Sequence, residues 1–215
     1  MAKLTFEISM SLDGFVAGPN PSLDQPLGEG GERLHEWIYG LASWRRRHGL
    51  EGGETGPDDE LVEASFANVG AIVMGRRMFS GGEGPWADDP RNEGWWGDDP
   101  PFRSPVFVLT HHAREPLEKE GGTTFTFVTA GVEAALEQAR AAAGDKDVSV
   151  AGGASAGRQY LEAELLDELM IHLVPVLLGG GVRLFDGIDA ARVALEQSRV
   201  IESPGVTHLD YRAVK

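Results

Sequence analysis

Twice, this chain breaks an apolar, strand-like run with glycine and enters a helix at once. Val73-Met74-Gly75-Arg76-Arg77-Met78 is the first instance and Val150-Ala151-Gly152-Gly153-Ala154-Ser155 the second. Turns of this kind belong to sheets whose parallel strands are joined by crossover helices, with ligands held at the carboxyl ends of the strands. The predicted fold class is α/β: a mixed central sheet flanked by helices and closed by antiparallel strands.

Periodicity fills in the rest. Residues 4–9 alternate apolar and polar side chains and predict an opening strand, followed by a Gly/Pro-rich loop over 10–21. Leu34, Ile38, Leu41 and Trp44 stand at helical spacing, so a helix is predicted over 32–47. Asp58 is read as the cap of a second helix over 59–67. Further strands are predicted at 71–74, 106–109, 124–128, 148–151 and 168–175, with helices at 132–143 and 155–166. Residues 177–185 turn through three glycines, and 192–203 with 206–214 make a closing antiparallel pair around Pro204-Gly205. A length of 215 residues fits a single domain over 1–215. Residues 81–104 are acidic and carry Trp86, Trp95 and Trp96. They are read as a surface loop packed on the body, with a lid over substrate as the alternative.

Charge narrows the function. Nineteen Lys and Arg against 34 Asp and Glu give a formal charge of -15, which counts against a general nucleic-acid binder and against docking on anionic membranes. Arg45, Arg46, Arg47 and His48 are read as solvated cations at a helix end. Without cysteine there is no disulfide and no thiolate chemistry. Glu7 and Asp13 interrupt any secretory h-region, and residues 169–178, the most apolar stretch, contain His172 and Pro175 and are too short to span a bilayer. A soluble, cytoplasmic protein is expected.

Both glycine turns suit phosphate. Backbone N–H groups at a helix start and the guanidinium forks of Arg76 and Arg77 would hold an anion, and paired glycines let it approach closely. The spacing is not that of the dinucleotide fingerprint, and no Walker lysine follows. Gly153-Ala154-Ser155-Ala156-Gly157 also fits the nucleophile-elbow pattern, so a serine hydrolase using Ser155 is an alternative, although no His-Gly-Gly oxyanion motif precedes it. His111 and His112, being adjacent, would face opposite ways on a strand end, and no metal site is predicted. His172 is read as a satisfied core histidine, and Asp13 as bonding local backbone.

At these residues the chain resembles the family that contains dihydrofolate reductase and the C-terminal reductase domain of the bifunctional riboflavin-biosynthesis deaminase-reductase (RibD). The resemblance covers nearly the whole chain. It rests on Ser11-Leu12-Asp13-Gly14 with Val16-Ala17, on Met74-Gly75-Arg76-Arg77-Met78-Phe79, on Val108-Leu109-Thr110 and on Ala151-Gly152-Gly153. Leu166-Asp167-Glu168-Leu169 and Pro175-Val176-Leu177-Leu178-Gly179 extend it.

The resemblance implies a dihydrofolate-reductase-like oxidoreductase. It would move hydride from NADPH to a small heterocyclic substrate, as 5-amino-6-(5-phosphoribosylamino)uracil reductase does. It implies that Ser9, Val16 and Ala17 bracket the nicotinamide, and that Gly75, Arg76, Arg77 and Met78 hold phosphates of the adenosine half. Leu109, Thr110 and His111 would then lie along the ribose, and Gly152, Gly153, Ala154 and Ser155 would cradle the pyrophosphate. Asp13 and Glu32 are the candidate proton sources. A homodimer is expected through the strands around 179–185. A deazaflavin-using or non-catalytic relative is a further alternative. Phe15 and Ala151 stand where riboflavin-pathway reductases usually carry Lys and Glu.

Overall fold

The computed structural model describes residues 2–215. In chain order the elements are β1 (Leu4–Ser11), β2 (Phe15–Ala17), α1 (Glu36–Tyr39), α2 (Ala42–Arg47), α3 (Pro57–Asn68), β3 (Val69–Gly75), α4 (Arg76–Ser80), β4 (Pro105–Leu109), β5 (Leu117–Glu118) and β6 (Thr124–Val128). They continue with α5 (Val132–Ala143), β7 (Asp147–Gly152), α6 (Ala154–Glu162), β8 (Glu168–Val174), β9 (Val182–Arg183), β10 (Ala194–Ser203) and β11 (Val206–Val214). Nine strands form one sheet in the order β10-β11-β8-β1-β7-β3-β4-β6-β5, and β2 pairs with β9 in a separate two-stranded sheet. Strands β1, β7, β3, β4 and β6 run parallel to their neighbours in that series. β5 is antiparallel on β6 and β10 antiparallel on β11. This is the mixed α/β sheet with closing antiparallel strands that the sequence predicts.

The chain packs as two compact units. The first is the chain up to Phe6 with Val69–Glu168; the second is Glu7–Asn68 with Leu169–Lys215.

In the first unit, β3 and β4 bury Ile72, Met74, Val106 and Val108 against Phe79, Phe102 and Phe125. Helix α5 lays Val132, Ala135, Leu136, Ala139 and Ala143 inward, the three-and-four spacing of one helical face. Burying Leu136 alone contributes about 1.5–3 kcal/mol. Helix α6 approaches the sheet closely at Gly157, where a Cβ would meet the Phe6 ring at 2.0 Å. Helix α6 stops at Glu162, four residues before its predicted end, because Glu164 turns to φ 57. His111 and His112 lie beyond the end of β4 in a bend, not on a strand.

Residues 81–104 pack onto this unit. Trp86 meets Phe79 and Phe127 edge-on, and Trp96 meets Phe102. The indole N–H groups of Trp95 and Trp96 both donate to the Met78 carbonyl, at 2.7 and 3.2 Å, and Trp86 donates to the His112 carbonyl at 2.7 Å. Three tryptophans fasten the segment to the end of α4 and to the turn after β4.

In the second unit the helix predicted over 32–47 is broken. A 3-10 turn (Gly31–Leu34) precedes α1, and Leu41 is extended, with ψ 141, between α1 and α2. The carbonyl of Gly40 and the N–H of Ala42 pair with Glu54 instead of continuing the helix. The apolar spacing survives the break, so Leu34 and Leu41 are still buried. Helix α3 begins at Pro57, a residue pre-set for a first helical position. Asp58 therefore lies inside the helix and is not its cap; its carboxylate accepts from Ser203 and faces His208.

Asp13 also reaches further than its own turn. It accepts from Ser11 Oγ at 2.6 Å, and from the N–H groups of Leu178 and Gly179 at 3.1 and 2.7 Å. The Ser11 hydroxyl first, with those backbone donors, depresses the Asp13 pKa to about 2. Its stabilising effect is present above the ordinary carboxylate range near 4 and is lost as pH falls through about 2. Asp13→Asn should thus melt below the wild type at pH 6, and the gap between the two melting curves should close as pH approaches 2. A gap independent of pH would refute this.

Candidate functional site

Three strand ends stand side by side in the first unit. Met74 pairs with Gly152 across β3 and β7, and Gly75 pairs with Leu109 across β3 and β4. An ideal Cβ on Gly75 would lie 3.9 Å from Gly152 O and Gly153 N, so the two glycine turns are neighbours. The strand–turn–helix pattern in the sequence is therefore one composite site at the carboxyl ends of parallel strands.

Gly152 has φ 132, a backbone region that disfavours side chains, and the Gly152–Gly153 bond is cis. Gly153 is the N-cap of α6, with φ −83 and ψ −170, and no side chain caps that helix. A Cβ on Gly153 would have nothing within 4 Å. Open space therefore faces a helix start whose first N–H groups lack a side-chain acceptor, and that arrangement fits a phosphate group. Ala154 and Ser155 supply the first helical residues; Ala154 is buried, and the Ser155 hydroxyl receives Gln159 Nε2 at 3.4 Å.

The two arginines of the other turn divide. Arg76 points into the unit: Nη2 donates to Asp89 Oδ2 at 2.5 Å, and the guanidinium carbon lies 3.2 Å from the Trp86 ring centroid. Asp89 also accepts from Ser80 Oγ at 2.6 Å and from Arg91 N at 2.9 Å. The pair is desolvated, with side chains 8% and 1% exposed. Arg76 Nη1 is buried without a hydrogen-bond partner among the described residues. Arg77 is exposed and pairs with Glu83 at the surface. Met78 is partly buried against the core. Beyond β4, Thr110 is buried and accepts the His112 N–H at 3.1 Å, while His111 is exposed. Arg114, which sequence reasoning passed over, lies 4.7 Å from the Trp86 ring centroid. A single Arg between a His pair and a Pro carries no pattern that would single it out.

The remaining residues of the predicted site belong to the second unit. Ser9 is buried and its hydroxyl accepts from Trp37 Nε1 at 3.2 Å. Val16 and Ala17 lie on β2, which pairs Ala17 with Val182 of β9. Glu32 is exposed and accepts the Tyr39 hydroxyl at 2.8 Å. His172 is buried and hydrogen-bonded, the satisfied core histidine expected, and what sequence reasoning missed is its partner: its Nδ1 stands 2.7 Å from His208 Nδ1. Among the described residues no three His, Cys, Asp or Glu side chains are grouped to hold a metal ion, and no helix is long and apolar enough to cross a membrane.

The chain is similar in fold to several solved structures. A protein assigned to riboflavin biosynthesis from Shewanella sp. PV-4 superposes with a TM-score of 0.63 at 23% identity, covering 100% of both chains. A diaminohydroxyphosphoribosylaminopyrimidine deaminase/5-amino-6-(5-phosphoribosylamino)uracil reductase from Thermotoga maritima gives 0.59 at 14% identity, over 99% of this chain and 57% of that one. A pyrimidine reductase-like protein from Corynebacterium diphtheriae gives 0.52 at 13% identity, over 100% and 92%. No curated protein matches the sequence. The family model for the RibD C-terminal domain matches residues 2–208. With that match running through both glycine turns and the closing strands, the chain belongs to the RibD C-terminal domain family.

Proposed function

We propose that this protein is a reductase that transfers hydride from NADPH to a small heterocyclic substrate of the kind reduced in riboflavin biosynthesis. The observation that carries the reading is the open space at Gly153, before an uncapped helix and beside the Gly75 turn. Membership in the RibD C-terminal family supports the reaction class. The substrate class follows the naming of the Thermotoga relative as a deaminase/reductase of a phosphoribosylaminopyrimidine. Phe15 and Ala151, which replace the usual Lys and Glu, would tune the substrate within that class.

When bound, the dinucleotide supplies the hydride; the protein supplies orientation and a polar frame. Gly152, Gly153, Ala154 and Ser155 would hold the pyrophosphate, and Gly75, Arg77 and Met78 the phosphate of the adenosine half, with Leu109, Thr110 and His111 along its ribose. Arg76, tied to Asp89, would brace this turn, with Nη1 as a spare donor. Asp13, held ionised, anchors the Leu178–Gly179 backbone and is no proton donor near neutrality. Nothing favours the hydrolase alternative, since the Ser155 hydroxyl meets Gln159 and His172 and His208 engage each other.

Calorimetric titration tests the reading. NADPH should bind more tightly than NADH. Arg77→Ala should weaken NADPH by about 0.5–1.5 kcal/mol, several-fold in affinity, and change NADH by less than about twofold. Absence of NADPH binding to the folded chain would overturn the assignment. A homodimer is part of the same proposal, supported by apolar side chains left exposed at Leu177 (64%) and Phe185 (42%). Light scattering should give twice the 23.1 kDa chain mass, and a monomer at micromolar concentration would refute the dimer.

A further inference from the structure

A line of buried titratable groups in the second unit has no part in the cofactor reading. It starts at Glu7 on β1, whose carboxyl accepts Ser65 Oγ at 2.7 Å. Glu7 Oε2 stands 3.9 Å from His172 Nε2 on β8. His172 Nδ1 stands 2.7 Å from His208 Nδ1 on β11, and His208 Nε2 stands 3.2 Å from Asp58 Oδ1 on α3. Ser203 Oγ donates to the same Asp58 oxygen. The imidazole side chains are 8% and 0% exposed, while Glu7 and Asp58 at the two ends keep 31% and 23% of their side chains accessible. Trp37 packs on both rings, with centroids at 4.8 and 5.1 Å, and donates its N–H to Ser9, two residues along β1 from Glu7.

Two nitrogens of the same kind at 2.7 Å allow one proton between them. That fixes how the line can be protonated. If Asp58 is a carboxylate, His208 carries its proton on Nε2 and donates to it. His208 Nδ1 is then a lone pair, so His172 must donate from Nδ1. His172 Nε2 is left as a lone pair facing Glu7. A charged carboxylate there would oppose it, whereas a protonated one completes the line once the terminal torsion of Glu7, a broad one, turns toward it.

We propose that Glu7, His172, His208 and Asp58 form a one-proton relay along this buried line. The step balances without any oxidant or reductant. Run from Glu7, the Glu7 proton passes to His172 Nε2, the His172 Nδ1 proton passes to His208 Nδ1, and the His208 Nε2 proton passes to Asp58. Three protons and one negative charge are present before and after. The reverse run loads Glu7 from Asp58. The environment suits tautomer exchange. Burial raises the Glu7 pKa, with Asp210 adding to the effect and Ser65 opposing it. Burial first, then His208 and His35, lowers that of His172. Both shifts favour the uncharged forms, a carboxylic acid at Glu7 and a neutral imidazole at His172. His35, itself pushed toward its neutral form by burial, and Asp210, paired with Arg199 at 2.6 Å, are the other titratable groups facing the line.

A reductase must match each hydride with a proton, and the relay would bring one to β1 beside Ser9. That use rests on the reductase reading; the relay itself does not. The test is nitrogen NMR of the 15N-histidine-labelled full chain from pH 5 to 9. We expect a neutral His172 throughout, with its proton on Nδ1 at the acid end and His208 donating from Nε2 to Asp58. The Nε2–H form of His172 should grow as Glu7 ionises. In Glu7→Gln the tautomers should stay fixed over the whole range. A wild-type tautomer pattern that does not move with pH overturns the relay, whatever the variant does. The same movement in Glu7→Gln also overturns it. NADPH titrated into the same samples keeps the two ideas apart. A moving tautomer pattern without NADPH binding removes the reductase use and leaves the relay.

Discussion

Replacing Asp89 by alanine is expected to destabilise the protein by about 3–5 kcal/mol, the cost of leaving a desolvated charge without its partner. Arg76 is inside the first unit with its guanidinium on Trp86 and cannot swing to solvent without opening that stack. Asp89 gathers three donors, from Arg76, Ser80 and the backbone of Arg91, so the truncation strands all three at once. At this chain length each kcal/mol moves the melting temperature by roughly 2–4 °C, so a fall of about 10 °C should appear in thermal unfolding. Removing both charges with apolar residues, as in Arg76→Met with Asp89→Leu, should recover most of the loss. Asp89→Ala melting within about 2 °C of the wild type would show that the pair is not desolvated.

This pair also shows where sequence reasoning stops. Strand β6 and helix α5 were legible to the residue, since alternation over 124–128 and the Ala-rich helical face over 132–143 are local signals. Both glycine turns were legible too, because strand, glycine and helix start follow one another directly in the chain. The direction in which Arg76 points was not. It depends on Asp89 and Trp86, in a segment whose acidic, Trp-bearing composition says only that it is unusual. The break between α1 and α2 was invisible for a related reason: it is made by Glu54, which pairs with both sides of Leu41 from beyond the α2 helix. Asp58 looked like a cap because a cap is what an acidic residue before an apolar run usually is. Its partners, Ser203 and His208, lie 145 and 150 residues away. Asp13 and His172 fit the same rule: besides its neighbour Ser11, Asp13 takes the backbone of Leu178 and Gly179, and His172 takes His208. Local pattern identifies the element, while the target of a polar side chain is set by the sheet order.

The sharpest test of the site is Gly153→Val, which should abolish NADPH binding and leave the fold intact. At most glycines in a tight turn the two effects cannot be separated, because a side chain would strain the backbone as well as block a ligand. Gly152 is such a case: its φ of 132 disfavours any Cβ, which would also meet Met78 Sδ at 3.1 Å. Gly153 differs on both counts. Its φ of −83 and ψ of −170 are extended backbone open to any residue, and its Cβ would meet nothing within 4 Å. Valine should therefore fold there at a cost below about 1 kcal/mol, with an unchanged circular dichroism spectrum and a melting temperature within a few degrees. The space it fills is the space before the first N–H groups of α6. If the pyrophosphate lies there, its two or more charge-assisted hydrogen bonds, at roughly 1.5–3 kcal/mol each, are lost together, and affinity falls by more than about a hundredfold. Gly153→Ala, with one methyl group, should sit between the two. A folded Gly153→Val protein that binds NADPH as the wild type does would move the pyrophosphate away from this turn, leaving the uncapped start of α6 without its proposed ligand.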